Sequence, residues 1–411
     1  MGRGPGRLTA GARTGLAMPR ARAASQGGAW QGGAWLGVEL ALALALASAG
    51  ALAQQPAAAA AETAAAADSS PAAPAAAADL LDRPALPAPA AVRSLLLDVA
   101  RAGQRLVAVG ERGHVLLSDD AGRSWRQAKS VPSRTMLTAV AFVDASHGWA
   151  VGHDEIILCT ADGGETWQRQ HWAPDTQQPL LDVWFADASR GIAIGAYKSY
   201  FTTADGGEHW ARQAFEPAPL PRSGPADPDA EFAPEYHLNA IAAAGTRLWI
   251  AAEAGQLYRS DDAGASWRTL PSPYAGSFFG LLPLSPDSLL AFGLRGNLFR
   301  SDDGGTNWRK LGSGTTAMLT DGEVLPDGRL ALVGLSGTVL LSSDRGITWS
   351  LRQQADRRGL SAALPDGAGA LVAVGEDGAR RIALDADAAH APVPAAASRD
   401  AASRTATGTG P

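Results

Sequence analysis

The chain of 411 residues contains a single cysteine, Cys159, and this scarcity excludes an intrachain disulfide. Cys159 lies in the apolar run IILCT and is interpreted as a small buried side chain. The sequence also lacks closely spaced His, Cys and carboxylate residues of the kind that ligate metals. It therefore predicts no metal site, no cofactor and a fold that is stable without cross-links.

The chain has little positive charge. Its formal charge is −6, and it becomes −10 when the first 53 residues, which hold five arginines and one glutamate, are removed. A body this acidic has no broad footprint for a polyanion. Nucleic acid is therefore excluded as the expected partner.

Long apolar runs are missing too. The run LALALALA at 40–47 follows Glu39 and is shorter than the ~20 residues that a membrane-spanning helix needs. Residues 51–53, Ala-Leu-Ala, have the small-x-small form of a signal-peptidase site. We expect residues 1–53 to be an export signal, and the protein to work in the periplasm or in an equivalent lumen.

Ala, Pro and small polar residues dominate two segments, 54–92 and 386–411. Such segments cannot bury enough apolar surface to offset the entropy of ordering. We interpret them as a linker and a disordered tail around an ordered body at 93–385.

One short motif, Ser/Thr-x-Asp-x-Gly-x-x-Trp, is abundant. This Asp-box of the BNR repeat occurs six times, at 118–125, 160–167, 203–210, 260–267, 301–308 and 342–349. Successive motif tryptophans are 42, 43, 57, 41 and 41 residues apart, which is the period of a four-stranded propeller blade.

A longer module of two apolar stretches precedes each box and recurs a seventh time at 360–375. Short apolar runs between Gly, Asp and Asn turns predict antiparallel strands, labelled A to D within each module. The sequence thus predicts an all-β, seven-bladed β-propeller. The seventh box has decayed at 383–390, where only Asp385 remains, and Leu80–Val92 is the expected donor of a ring-closing strand.

The box has a structural interpretation. Carboxylate and hydroxyl groups satisfy the N–H groups of a tight turn, glycine permits positive φ, and tryptophan packs between strands. Because each aspartate stands on a separate blade, the set cannot converge on one metal. The expected structural residues are Asp120, Trp125, Asp162, Trp167, Asp205, Trp210, Asp262, Trp267, Asp303, Trp308, Asp344 and Trp349.

These boxes, the leader and the recurring VGxxG line ahead of each box resemble the family of photosystem II assembly and stability factors. The resemblance covers about 94–383. It implies a lumenal or periplasmic seven-bladed propeller that binds a precursor of a reaction-centre subunit and performs no chemistry. Asp-boxes also occur in sialidases, sortilin-type receptors and xyloglucan-degrading enzymes, so the motif alone does not select the function.

In a propeller, the B–C turns and D–A connections share one face, and the box turns lie on the other. We expect a monomer that binds a membrane or envelope protein through the first face. The candidate binding residues are Arg112, His114, Arg134, His153, Tyr197, Lys198 and Arg295. The longest D–A connection, 214–236, is either a tolerated insertion or a recognition loop.

Two other functions stay open. A sialidase-type enzyme needs a tyrosine nucleophile activated by glutamate, and only Tyr236 beside Glu235 fits. The Arg-Ile-Pro signature of that family is missing ahead of the first box, so no catalytic residue is assigned. A receptor for a small ligand in the central channel is the third possibility. The histidines lie on different modules and predict no cluster, and His209 occupies a variable box position.

Overall fold

A computed structural model describes residues 82–221 and 235–384. The predicted export signal, most of the linker and the tail lie outside these residues. The described residues form seven antiparallel sheets, six of four strands and one of three. The prediction of an all-β, seven-bladed propeller is confirmed.

The strands follow one another from the channel to the rim in every blade. Blade one contains β1 (Leu96–Ala102), β2 (Arg105–Gly110), β3 (Val115–Ser118) and β4 (Arg126–Gln127). Blade two contains β5 (Leu137–Phe142), β6 (Gly148–Gly152), β7 (Ile157–Thr160) and β8 (Gln168–His171). Blade three contains β9 (Leu180–Phe185), β10 (Gly191–Gly195), β11 (Tyr200–Thr203) and β12 (Ala211–Arg212).

The remaining blades repeat this order. Blade four contains β13 (Leu238–Ala244), β14 (Arg247–Ala252), β15 (Leu257–Ser260) and β16 (Arg268–Thr269). Blade five contains β17 (Phe278–Pro283), β18 (Leu289–Gly293), β19 (Leu298–Ser301) and β20 (Arg309–Leu311). Blade six contains β21 (Leu319–Val324), β22 (Leu330–Gly334), β23 (Thr338–Ser342) and β24 (Ser350–Gln353), and blade seven contains β25 (Leu360–Pro365), β26 (Ala370–Gly375) and β27 (Gly378–Ala383).

The second strand is buried along almost its whole length in every blade. Strands β6, β10, β18, β22 and β26 have every residue buried, because both faces of a blade pack against neighbouring blades. The innermost strand of each blade contacts the innermost strand of the next, and β25 contacts β1. The core is therefore a ring of interfaces between blades, and no single blade can bury its faces alone.

The six Asp-box turns share one hydrogen-bond pattern. In blade six, the Ser342 hydroxyl donates to Asp344 Oδ1 at 2.8 Å and accepts the Gly346 N–H at 2.8 Å. Asp344 Oδ1 also accepts the Thr348 N–H at 2.9 Å, and Oδ2 accepts the Thr348 hydroxyl at 2.5 Å. Both oxygens of the carboxylate therefore accept hydrogen bonds from groups of its own turn.

The seventh position of the box is not variable in its chemistry. Its side chain donates to the box carboxylate in every blade that has a box, through Ser124, Thr166, His209, Ser266, Asn307 and Thr348. The residue type at this position varies, as the sequence interpretation of His209 has it, but the hydrogen bond to the carboxylate is kept. His209 Nδ1 lies 2.8 Å from Asp205 Oδ2, where the other blades place a hydroxyl or an amide.

The fifth position of the box, always glycine, joins the turn to the preceding blade. Gly264 has φ +90°, and an added Cβ would lie 2.4 Å from Ile192 of blade three. Gly122 of blade one meets Val372 of blade seven in the same way, at 2.8 Å. A larger residue would strain both the turn and the contact, so the box sets the spacing between blades.

Blade seven has three strands among the described residues. Ile382 pairs with Leu371 in this blade, at the register where Ser118 pairs with Leu106 in blade one. An isoleucine therefore stands where the box hydroxyl should be, which accounts for the loss of the box. Asp385, the last trace of the motif in the sequence, lies outside the described residues.

The segment expected to close the ring does not add a strand. Of Leu80–Val92, residues 80 and 81 lie outside the described part, and Pro89–Arg93 form a 3₁₀ helix. Ala91 of this helix is buried between blades seven and one, and it packs with residues of both. The prediction of a donor strand was wrong, and the prolines explain why: they remove the N–H groups that a strand needs.

The same segment continues over blade one as a strap. The Ala88 N–H donates to Gln127 Oε1 at 2.6 Å, and the Ala85 N–H donates to the Val131 carbonyl at 2.9 Å. Asp82 pairs with Arg169 of blade two at 2.5 Å. The strap (residues 82–93) thus ties blades seven, one and two together on the B–C face.

The insertion 214–236 is partly described. Phe215 is buried between blades three and four, and Ala218 pairs in parallel with Arg268 on the outer strand of blade four. Residues 222–234 lie outside the described part. The start of the insertion is therefore built into blade four.

We expect Trp349→Ala to lower the free energy of unfolding by about 3–5 kcal/mol, the usual scale for emptying a fully buried aromatic site. Trp349 is 1 % exposed, and its indole N–H donates to the Gly346 carbonyl at 3.2 Å. Trp308→Ala is the matched control, because this box tryptophan is only partly buried. Thermal melts of both variants check the prediction, and an equal loss in the two would contradict it.

Candidate partner-binding face

The B–C turns of six blades place two consecutive residues in a left-handed conformation. The first of the two is never glycine, and its φ lies between 50° and 58° at Arg112, Asp154, Tyr197, Ala254, Arg295 and Ser336. This region is unfavourable for residues with a side chain, because the Cβ crowds the backbone. The turn geometry of the repeat imposes it, and each such residue stands at the tip of its hairpin.

The following residue is glycine in most blades for a steric reason. A Cβ at Gly113 would lie 2.1 Å from the Ser133 carbonyl oxygen, and one at Gly255 would lie 2.0 Å from that of Tyr274. Blades two and three depart from this rule. Glu155 (φ 51°) and Lys198 (φ 56°) occupy the position there, and their N–H groups donate to carbonyls of the D–A connections.

Glu155 is the centre of a buried polar cluster. Its side chain is 3 % exposed and accepts a hydrogen bond from Arg212 Nη1 of blade three at 2.5 Å. His171 Nε2 lies 3.6 Å from the same carboxylate, and Arg212 also bonds to Gln178 at 2.9 Å. This pairing compensates the buried charge and joins the B–C turns of blades two and three into one surface.

Tyr197 is the most exposed aromatic side chain of the face, at 46 %. Its ring stacks edge-on against His237, with centroids 4.7 Å apart, and its N–H donates to His237 Nδ1 at 3.2 Å. Burial lowers the pKa of His237, against the opposing effect of the nearby Glu253 charge, and the ring accepts the Tyr197 N–H through Nδ1. An exposed aromatic on a rigid support has the character of a binding hot spot.

The structure separates the predicted binding residues by exposure. Arg112, Tyr197 and Arg295 are exposed, and Arg134, His153 and Lys198 are partly buried. Arg134 donates from Nε to the Pro84 carbonyl of the strap at 3.0 Å. His114 is 4 % exposed, with Gln127 Nε2 3.1 Å from its Nδ1. His114 is therefore an interior residue, because its hairpin turns it beneath the strap.

Three half-buried carboxylates of the channel wall were missed in the sequence. Asp98, Asp182 and Asp321 occupy the same position of the innermost strand in blades one, three and six, next to a β-bulge. Each carboxylate accepts the backbone N–H of the next residue in sequence and one backbone N–H from the following blade. The bonds across blades go from Val140, Ile241 and Ala363 to the carboxylates at 2.8, 2.8 and 2.9 Å.

These bonds satisfy the inner edges of the sheets, where no further strand pairs. The protein surroundings nevertheless favour the neutral acid. Burial raises the pKa of Asp182 to about 7 and that of Asp321 to about 6, while two backbone N–H bonds act in the opposite direction. Burial, followed by the charges of Asp321 and Asp98, raises the pKa of Glu323 to about 8, against the effect of Arg101. The carboxyl groups of the wall therefore lie close enough for their charges to raise one another's pKa.

The sequence carried a signal for these residues. An aspartate interrupts the apolar stretch after a Leu-x pair at 96–98, 180–182 and 319–321. A charged residue inside a strand that is otherwise apolar indicates a specific bonding role.

Potential metal ligands converge once in the described part of the chain, at Asp205, Glu208 and His209, all exposed. The backbone N–H and ring of His209 hold the pKa of Asp205 well below its usual range. Both oxygens of this carboxylate already bond within the box turn. The hydrogen bonds of the box turn therefore explain why these three side chains lie together.

Tyr236, the candidate nucleophile of an enzyme, contributes its carbonyl oxygen to the Lys198 N–H at 3.0 Å. Among the described residues, no helix is long and apolar enough to span a membrane.

The architecture and the turns define a class: a seven-bladed propeller with Asp-box turns and a polar B–C face. The model of the family described as photosynthesis system II assembly factor YCF48 matches residues 127–179 and 170–330, which include blades two to five. No curated protein sequence shows significant similarity to the chain.

Solved structures share the fold. A structure of YCF48 bound to a D1 peptide has a TM-score of 0.56 and 18% identity, and covers 73% of this chain and 96% of its own. YCF48 from Cyanidioschyzon merolae has a TM-score of 0.56 and 17% identity, with 71% and 95% coverage. The GH74 xyloglucanase of Xanthomonas campestris has a TM-score of 0.54 and 15% identity, covering 73% of this chain and 53% of its own. These structures show the shared fold, and the family model supports a photosystem II assembly factor-like family for this chain.

The channel acids predict a pH-dependent stability. Because the pKa of Asp182 is higher in the folded protein than its ordinary 3.8, folding is favoured below about pH 4 and loses this contribution as pH rises towards 7. Asp182→Asn should shrink the difference in unfolding free energy between pH 5 and pH 8 by on the order of 1–3 kcal/mol.

Chemical denaturation at both pH values measures this difference. Asp187→Asn is the control, because backbone N–H bonds from Ser189 and Arg190 lower the pKa of this exposed acid, and its ionic partner is an arginine. An unchanged pH dependence in Asp182→Asn would contradict the assignment.

Proposed function

We propose that this chain is an exported, non-catalytic scaffold that binds a membrane or envelope protein through its B–C face and assists the assembly of that protein. The observation that carries the proposal is the row of side chains at the left-handed hairpin tips, with Tyr197 exposed and held against His237. The family model and the YCF48-like fold support the same function.

The chemistry of the face suits a polypeptide ligand. Arg112 and Arg295 offer guanidinium groups on blades one and five, and Tyr197 offers an aromatic surface on blade three. Arginine and tyrosine are the residue types that dominate the binding energy at protein interfaces. The exposed charges govern association more than the stability of the ring.

The binding face is tested by capture of membrane proteins from an envelope extract of the source organism. Tyr197→Ala and the double reversal Arg112→Glu with Arg295→Glu should each weaken capture by roughly tenfold or more. The melting temperature should stay close to that of the wild type, because these side chains pack against little of the core.

Arg123→Glu is the matched control, since this exposed arginine lies in the Asp-box of blade one on the opposite face. Equal capture by all variants would show that the binding site does not lie on the B–C face. Turnover in a glycosidase screen that disappears in Tyr236→Phe would replace the scaffold proposal by an enzyme.

A further inference from the structure

The outer edge of β27 (Gly378–Ala383) differs from the corresponding edge in the other blades. In blades one to six a fourth strand covers the third, whereas within the described residues β27 pairs only with β26. From this edge we infer a second contact for the client: an extended acidic segment adds to β27 as the fourth strand of blade seven. This inference rests on the proposed function, because it assumes that the chain binds another protein.

The hydrogen-bonding groups of the edge can be assigned from the register. The Leu384 N–H donates to the Gly369 carbonyl, on the side of β26, at 3.0 Å. Because alternate residues of an antiparallel strand face the same neighbour, Ile382 and Arg380 also face β26. The N–H and carbonyl groups of Arg381 and Ala383 therefore point to the open side.

The other blades show what this edge is shaped to hold. The residues equivalent to Ala379 are Val115, Tyr200 and Leu257, and their carbonyls accept N–H groups from Ala128, Gln213 and Leu270 at 2.8–2.9 Å. In those blades the added strand is only two residues long by its pairing. A short extended segment is thus enough to complete blade seven.

The strap leaves this edge open along most of its length. Its 3₁₀ helix touches the start of β27, where a Cβ at Gly378 would lie 1.9 Å from the Val92 carbonyl oxygen. Arg93 pairs with Asp377 at 3.5 Å, again at the start of the strand. Arg381 and Ala383 are exposed beyond this contact.

The two arginines of β27 favour an acidic segment as the occupant of this edge. Arg380 and Arg381 are adjacent on β27 and bond to Asp356 and Asp366, and 32% of the Arg381 side chain remains accessible. An acidic residue opposite Arg381 adds a favourable cross-strand pair, whereas a second copy in antiparallel pairing would oppose arginine to arginine. The chain's own tail is a poor strand, because Pro392 and Pro394 remove two N–H groups within three residues.

The test uses a fluorescein-labelled peptide of alternating valine and glutamate, and its counterpart with lysine, measured by fluorescence anisotropy on the full chain. We expect the glutamate peptide to bind more tightly than the lysine peptide. Arg381→Pro should weaken binding by roughly tenfold, because it removes an outward N–H that β26 does not use. Arg381→Ala is the matched control: it keeps the N–H and should lose only the charge preference.

Hydrogen exchange gives a second measurement that needs no variant. The peptide should slow exchange at the Arg381 and Ala383 amides, while the Arg380 and Ile382 amides stay protected throughout. Equal peptide affinity in Arg381→Pro and the wild type, with no change at these amides, would overturn the inference.

Two other occupants have distinct outcomes, and both overturn the inference. The Arg381 amide could be protected from exchange without peptide and lose this protection when residues 385–411 are removed. That result would show that the tail pairs with β27. A dimer abolished by Arg381→Pro would assign it to a second copy. If Arg381→Pro leaves peptide binding intact and Tyr197→Ala still loses client capture, the inferred contact at β27 is wrong. The proposed binding site on the B–C face is then retained.

Discussion

The contact between each box glycine and the preceding blade is the constraint on which the ring depends. The aspartate and hydroxyl of the box fix the turn, and the turn brings a glycine with positive φ against a buried side chain of the neighbouring blade, as Gly264 does against Ile192. A motif that looks local thus sets a distance between sheets. Its period along the chain becomes the angular period of the ring, because each of the six blades with a box repeats the same approach.

The inner and outer edges of the blades are satisfied in different ways. At the rim, a fourth strand supplies the hydrogen bonds. At the channel, where no strand fits, side chains such as Asp182 bond across blades. The carboxylates are costly to bury, and their raised pKa values express that cost. The B–C face sits on a ring that is stiffened from the channel side, which keeps its hairpin tips in fixed positions.

Much of the fold was predictable because the repeat is periodic. The blade count, the strand order and the chemistry of the box all follow from residues that recur at one spacing. The closure of the ring was not predictable in the same way, since it depends on one non-repeating junction. Ile382 replaces the box hydroxyl, and a short 3₁₀ helix replaces the expected strand. The candidate binding residues lie on the B–C turns and D–A connections where the sequence predicts them, but their exposure depends on packing. His114 is buried, and its partner Gln127 also bonds to a strap that the sequence pattern could not position.

The last blade contacts the first through residues that are distant in sequence, such as Arg101 and Pro365, which are 264 positions apart. A junction of this kind has a large loop-closure entropy and forms slowly relative to the hairpins. The ring can close only after the final module has been synthesised and released. Until then, the facing apolar surfaces of blades one and seven are exposed to water. The seam between these blades is therefore the part of the molecule most exposed to aggregation and proteolysis during maturation.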